Sequence, residues 1–266
     1  MTGASRGIGA DIAELLAAEG AAVAVTARTV DEGDSRFEGS LAATVARIRD
    51  AGGIGHAVAA DLSRPGDRAR LIDETRRELG PVDVLVNNGA VTFFEPVGEF
   101  SEKRWRLMFE VQVRAPFELA QLLLPSMRER GSGSILNISS KAALHPQPAG
   151  EAATGGTVYG MVKAALERFS TGLAAEVAAD GITVNALSPT SVVATPGVVH
   201  HGLITPEREP WVEDGSMMPR AALALITGGM TGRVAYSHQL LAELGEEAAP
   251  AEWQLVADHP RARRGP

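Results

Sequence analysis

Thr2–Gly9 reads TGASRGIG and runs without a break into Ala10–Glu19, ADIAELLAAE, and then into an apolar block at Ala21–Ala27, AAVAVTA. Glycines at Gly3, Gly7 and Gly9 free the backbone to turn sharply and to lie close against a ligand. The apolar period that follows predicts a helix over Ile8–Glu19. The first amides of such a helix have no intrahelical acceptor, and its N-terminus carries a partial positive charge. Together these make an anion site suited to a pyrophosphate. The same glycines would serve a tight turn that binds nothing, so the surrounding sequence has to decide.

Outward from this motif, short apolar blocks alternate with longer stretches of helical period. Strands are predicted over Ala21–Ala27, Gly55–Ala60, Val82–Asn87, Gly133–Ser139, Ile182–Leu187 and Gly232–Ser237. Helices are predicted over Ile8–Glu19, Ser40–Ala51, Pro65–Leu79, Ser101–Glu129, Val158–Ala179 and about Pro219–Ile226, several of them closed by glycine. Strand and helix in alternation is the pattern of a parallel sheet covered on both faces, so the fold class is α/β. Thr29–Gly39 and His145–Gly156 read as surface loops. Thr190–Met218, irregular and bearing His200 and His201, reads as a lid or binding loop. The chain is expected to form one domain over residues 1–244, followed by a polar tail over 245–266.

The composition, 45% hydrophobic and 22% charged over 266 residues, is that of a globular chain, and no apolar run is long enough to suggest a membrane span. A net charge of -8 argues against nucleic acid as a partner. The cationic cluster Arg261, Arg263 and Arg264 lies in the tail, where a solvated terminus is the plainer reading. With no cysteine, disulfides, thiol catalysis and zinc–cysteine sites are excluded, which fits a cytoplasmic protein. His200 and His201 are adjacent in an extended loop without a third ligand, so no metal is expected.

Further landmarks, taken with the glycine motif, resemble the short-chain dehydrogenase/reductase family. The family's cofactor motif, TGxxxGxG, is matched at Thr2, Gly3, Gly7 and Gly9. In the family's order there follow Asp61 in AADLS, Asn87-Asn88-Gly89-Ala90, the Ser139-Ser140 pair in NISS, Tyr159 and Lys163 in YGMVK, and Asn185 to Pro189 in NALSP. The likeness runs from Thr2 to about Leu241. It implies a Rossmann-like, doubly wound parallel sheet and hydride transfer between a nicotinamide cofactor and an alcohol, ketone or aldehyde. It also implies that Gly3, Gly7 and Gly9 cradle the pyrophosphate, that Asp61 bonds the adenine amino group, and that Asn87 pins the strand beside the cofactor. Ser5, Ile8, Leu62, Gly89, Pro189 and Thr190 are further implied cofactor contacts.

Cofactor choice turns on the end of the Ala21–Ala27 strand, beside the adenosine ribose. An acid there suits the hydroxyls of NAD, whereas an arginine suits a 2'-phosphate. Ala27 stands where the acid is usual, Arg28 follows, and Arg6 is a second cation. NADP is therefore expected ahead of NAD, although Asp31, Glu32 and Asp34 lie close by.

Hydride transfer to a carbonyl leaves an alkoxide that needs a proton and a hydrogen-bond donor. Tyr159 and Lys163 lie four apart on a predicted helix and so share a face, and an ammonium beside a phenol lowers the phenol's pKa. The lysine would also hold the nicotinamide ribose. Ser140 would donate to the substrate oxygen; Ser139 is the neighbouring alternative, and the family pattern favours the second serine. The fourth family position, an asparagine that supports a proton relay through the lysine, falls on Gln112. Glutamine keeps the amide but adds a methylene.

Three departures from the family pattern carry expectations of their own. Nineteen positions separate Ser140 from Tyr159, more than is common in the family, so His145–Gly156 is expected as an enlarged loop beside the pocket. Asn87-Asn88-Gly89-Ala90 inverts the usual NNAG ending. The family places a buried strand before the TG pair, whereas this sequence begins Met1-Thr2. Most of the first strand is thus expected to be missing and the true start to lie upstream, with a GTG valine codon taken for the initiator. A rival reading, motivated by Gln112 and the missing strand, is a nucleotide-binding scaffold or sensor without turnover. Trp211, Met217 and Met218 in the lid suggest an apolar small-molecule substrate. The resemblance also implies a homodimer or homotetramer, joined through the helices bearing Gln112 and Tyr159.

Overall fold

A computed structural model describes residues 1–145, 155–206, 209 and 212–246. The glycine turn leads into α1 (Gly7–Ala18), which buries Ile12, Ala13 and Ala17. In β1 (Ala22–Ala27), Val23 to Thr26 are buried in succession rather than in alternation, as in a strand covered on both faces. α2 (Leu41–Asp50) opens at Ser40, whose hydroxyl accepts from the Ala43 amide. β2 (Ile54–Ala59), α3 (Pro65–Leu79) and β3 (Val84–Asn87) follow. α4 (Glu102–Phe109) passes through a π turn, Glu110–Arg114, into α5 (Ala115–Arg130), which ends at Gly131 with φ 64°. Then come β4 (Gly133–Ile138), α6 (Thr157–Glu176) and β5 (Ile182–Ser188). The last third contains β6 (Val192–Val193), α7 (Pro196–His200), β7 (Val212–Glu213), α8 (Met217–Thr227), β8 (Val234–Tyr236) and α9 (Ser237–Glu243).

The strands and helices expected from the sequence recur to within about three residues at their ends, with three differences, one of them the unexpected helix α9. Ser101–Glu129 is not one uninterrupted helix, because the π turn widens it at Glu110. The stretch expected to be irregular, Thr190–Met218, contains β6, α7 and β7, elements of two to five residues that are too short to leave a period in sequence. Most of the His145–Gly156 loop, Trp211 and nearly all of the tail, its arginines included, lie outside the described residues.

β3, β4, β5 and β8 are neighbours in that order and all parallel, and β1 and β2 form a separate parallel pair. Between the two groups stands the backbone of Met1 and Thr2. The Thr2 amide donates to the Val86 carbonyl (3.0 Å) and the Thr26 amide to the Met1 carbonyl (2.9 Å), with Thr2 bridged in parallel to Thr26. These two residues occupy the place between β1 and β3.

One face of the sheet is covered by α3, α5 and α6 over Leu71, Leu119, Leu123, Ile135 and Val184. The other is covered by α1, α8 and α9 over Ile12, Leu136, Leu187 and Leu225, with α2 beside α1 over Val25 and Ile48. The sheet is therefore doubly wound. Through the first layer runs a buried polar chain: Asn87 Nδ2 donates to Asn137 Oδ1, Asn137 Nδ2 to Ser170 Oγ, and Ser170 Oγ to the Leu166 carbonyl, each at 2.8 Å. It ties the C-terminal ends of β3 and β4 to the middle of α6. Asn137→Ala would leave the Asn87 amide without an acceptor in the core, at an expected cost of about 2 kcal/mol. Urea unfolding should show the midpoint falling at constant slope.

Candidate active site

At the glycine turn, Thr2 Oγ1 accepts from the amides of Asn88 and Gly89, each at 3.0 Å, and Asn88 Nδ2 returns a bond to the Gly3 carbonyl (3.0 Å). The turn is pressed so closely on the end of β3 that side chains are excluded. A Cβ at Gly3, where φ is +64°, would lie 2.7 Å from Gly89 Cα, and one at Gly9 would lie 2.3 Å from the Gly3 carbonyl oxygen. Gly89 is less confined: the atom nearest to where its Cβ would be, at 2.7 Å, is Leu62 Cδ1, the end of a side chain that can shift.

The N-cap of α1 is Arg6, which makes no side-chain cap bond, and the first turn holds no acid. Its amides thus remain available to an anion. The Arg6 guanidinium donates to the Gly39 carbonyl (2.6 Å) and to Ser35 Oγ (3.3 Å) and faces the Phe37 ring. Burial lowers its pKa, Glu32 opposes, and nearby Arg28 lowers it further. Arg6 and Arg28 therefore form a two-cation corner at the end of β1. Asp61 is turned towards its own loop, accepting from the Ser63 amide and hydroxyl and facing Arg64 at 3.7 Å.

Tyr159 lies in the first turn of α6 and Lys163 one turn later, both on the side facing β4. Consecutive residues of an extended chain point in opposite directions, and the two serines divide accordingly. Ser139 Oγ donates to the buried Glu167 carboxylate (2.7 Å), whereas Ser140 Oγ accepts from the Ala142 amide (3.2 Å) and lies close enough to Tyr159 to act on its pKa. Lys163 Nζ donates to the Ile138 carbonyl (2.8 Å), with its charge 5.7 Å from the centre of the Tyr159 ring.

The expected lowering of the phenol's pKa is not found. Burial pushes Tyr159 up, with Ser140 opposing, while burial brings Lys163 down to about 8, with Glu167 opposing.

Gln112 is buried in the π turn. Its Nε2 donates to the Val91 carbonyl (2.8 Å), and its Oε1 has no hydrogen-bond partner among the described residues. Fully buried Arg68 anchors the turn, pairing with Glu110 and, at 2.6 Å, with Glu118. A π turn breaks the helical ladder locally and is a common device at functional sites.

The lid descends on this cleft. Thr195, which caps α7, packs on the glycine turn, its Cγ2 3.1 Å from where a Cβ of Gly7 would be. His200 lies edge-on to Phe37 and 3.0 Å from the Arg36 guanidinium. His201 lies edge-on to Phe94, and Phe94 edge-on to Tyr159, with ring centres 5.3 and 5.6 Å apart. At the lid's base, buried Glu213 accepts from the amides of Thr190 (2.7 Å) and Ser191 (3.1 Å) and from Ser237 Oγ. Pro189 and Thr190 are thereby fixed beside the end of β5. Sequence reading missed Phe94, Glu167 and Glu213. Glu167 alone left a signal, lying four residues beyond Lys163 and eight beyond Tyr159 on one helical face. Among the described residues there is no group of three potential metal ligands, and no helix is long and apolar enough to cross a membrane.

The family model for short chain dehydrogenases matches residues 1–200, and the chain belongs to that family of oxidoreductases. A short chain dehydrogenase of Pseudocercospora fijiensis is 34% identical over 215 residues, 80% of this chain and 65% of that protein. The chain thus spans slightly less than two thirds of that relative's length. A solved 7α-hydroxysteroid dehydrogenase, complexed with NADH and 7-oxo-glycochenodeoxycholic acid, is 28% identical with a TM-score of 0.77, covering 88% of this chain and 90% of that one. A metagenomic short-chain oxidoreductase in complex with NADP is 33% identical with a TM-score of 0.64, covering 72% of this chain and 81% of that one.

Burial, His200 and Arg36 all lower the pKa of His201 below 6.5. A lid that has come away from Phe94 binds more protons in that range than a closed one, so closure is favoured above pH 6.5 and lost as pH falls through the lowered value. Hydrogen exchange across residues 195–205, corrected for intrinsic rates, should show protection disappearing in acid. Protection that stays constant would refute this.

Proposed function

We propose that the protein interconverts an alcohol and a ketone or aldehyde with NADP as the redox partner. The observation that carries this reading is the convergence of Ser140, Tyr159 and Lys163 on the cleft that begins at the uncapped N-terminus of α1. The residues present fit a dinucleotide. First-turn amides at Gly7, Ile8 and Gly9, with Ser5 and Gly3 in the turn, suit the pyrophosphate. Arg6 and Arg28 suit a 2'-phosphate, Asp61 and Leu62 the adenine, Asn87, Gly89, Pro189 and Thr190 the nicotinamide end, and Lys163 the ribose. A bound nicotinamide dinucleotide supplies the hydride.

In the reducing direction the Ser140 hydroxyl donates to the substrate oxygen, and the Tyr159 hydroxyl passes its proton to that oxygen as charge develops there. Lys163 holds a positive charge one helical turn away, and Gln112 supports resupply of the proton. Phe94, edge-on to Tyr159, and His201, edge-on to Phe94, line an approach for an apolar substrate. Trp105 and Phe109, stacked at 4.3 Å, lie with exposed Phe117 on the outer face of α4 and α5, and this face supports assembly as a homodimer or homotetramer. The cytoplasm, where nicotinamide cofactors circulate free, is the compartment this reading implies.

Tyr159→Phe should reduce turnover at least about 100-fold while leaving NADPH binding, followed by nicotinamide fluorescence, nearly intact. Wild-type protein that binds NADPH but reduces no carbonyl across a broad screen would favour the scaffold reading instead. In the same assay, Arg28→Asp should weaken NADPH about tenfold or more and leave NADH little changed. Equal losses for both cofactors would remove the 2'-phosphate from the argument.

A further inference from the structure

Glu167 is a carboxylate in the core that none of the steps above uses. It is 3% exposed and lies on the inner face of α6, one turn beyond Lys163 and two beyond Tyr159. Its Oε1 accepts from Ser139, the residue next to Ser140 at the end of β4. Lys163, also 3% exposed, donates to Ile138, one residue earlier on the same strand. Two adjacent turns of α6 thus grip two consecutive residues, Ile138 and Ser139, immediately before Ser140. A carboxylate and an ammonium buried this close in sequence and space have little water to solvate either charge, so each stabilises the other.

We propose that Glu167 is a positioning residue that keeps Lys163 protonated and, through Ser139, holds the end of β4 so that Ser140 faces Tyr159. This assignment rests on the reading of Lys163 as the charged partner of Tyr159. Other charged groups lie on the elements packed against α6: Lys141 after β4, Glu110 and Arg114 in the π turn, Asp180 after α6, and the polar face of α4. β4 and β5 carry none. Of all these groups it is Glu167 whose charge registers at Lys163, opposing the burial that strips the proton away. Without it the lysine would be neutral over more of the physiological range and the tyrosine would lose its cation.

The test can be made without turnover, because Lys103, Lys141 and Lys163 are the lysines of the sequence. Protein labelled with 13C-lysine should give three Cε resonances, with that of Lys163 assigned by its loss in Lys163→Met. In wild-type protein it should titrate near 8. In Glu167→Gln, which keeps an oxygen able to accept from Ser139 but removes the charge, its midpoint should fall by about one pH unit, as expected for a lost counter-charge at this range. Ser139→Ala, which weakens the hold on the carboxylate, should shift it in the same direction by less, and it serves if the glutamine variant does not fold. The alkaline limb of the pH–rate profile should move with the resonance. A Lys163 midpoint unchanged in folded Glu167→Gln, or in Ser139→Ala where the glutamine variant does not fold, would overturn the proposal. If the midpoint moves but no carbonyl is reduced, the charge relation stands and the functional reading fails on its own.

Discussion

Thr2 is the point through which the two halves of the sheet communicate. Its amide reaches β3, its bridge reaches β1, and its hydroxyl takes the amides of Asn88 and Gly89 as the chain leaves β3. A peptide plane has one donor and one acceptor, and in a sheet interior both must be used. Met1 and Thr2 use theirs across the gap, and β1–β2 is thereby kept parallel to β3–β4–β5–β8. The consequence for the site is direct. The glycine turn can face the C-terminal ends of β3 to β5 only if β1 and β3 are held one strand's width apart.

From that constraint the site's location follows. Open parallel sheets with helices on both faces leave a crevice beyond the C-terminal ends of their strands, where the order of connection reverses. Here β1 delivers Arg28, β3 delivers Asn87 and Gly89, β4 delivers Ser139 and Ser140, and β5 delivers Pro189 and Thr190 into one crevice. The buried chain from Asn87 through Asn137 to Ser170 fixes the relative height of β3, β4 and α6, and with it the distance between Ser140 and Tyr159. Hydrophobic layers hold the sheet together without direction. The polar chain supplies registry, because its bonds are made in one alignment and broken in any other.

Much of this was legible in the sequence because it depends on period and punctuation. Gly3 and Gly9 announced a turn with no room for side chains, and the apolar blocks announced strands covered twice. The choice of Ser140 over Ser139 came from the family pattern alone, since adjacent residues differ only in the direction the pleat gives them, and that depends on the register of β4 against β5. The π turn left no signal either. It depends on Arg68, which lies more than forty residues away and pulls Glu110 and Glu118 together. α7 escaped because five residues cannot display a helical period. Glu167 was visible as a stripe with Tyr159 and Lys163, but on sequence alone a glutamate there reads as a solvated helix face, and only its burial against Ser139 changes that.

The protonation of Tyr159 and Lys163 bears on how such a site works at all. A tyrosine–lysine pair is readily pictured as an ammonium that lowers a phenol, but burial acts on both groups and moves them apart in pKa, the phenol up and the ammonium down. Desolvation makes the phenolate costly and the ammonium costly at once, so the pair alone tends towards two neutral groups. A neutral phenol is a competent proton donor to an alkoxide, and the difficulty arises afterwards, when the phenolate left behind needs a cation. The helix answers with a third charge one turn further along, placed where solvent cannot screen it. Seen this way the working unit extends over three successive turns of α6, from phenol to ammonium to carboxylate, and its far end is the anchor that also sets the strand carrying Ser140.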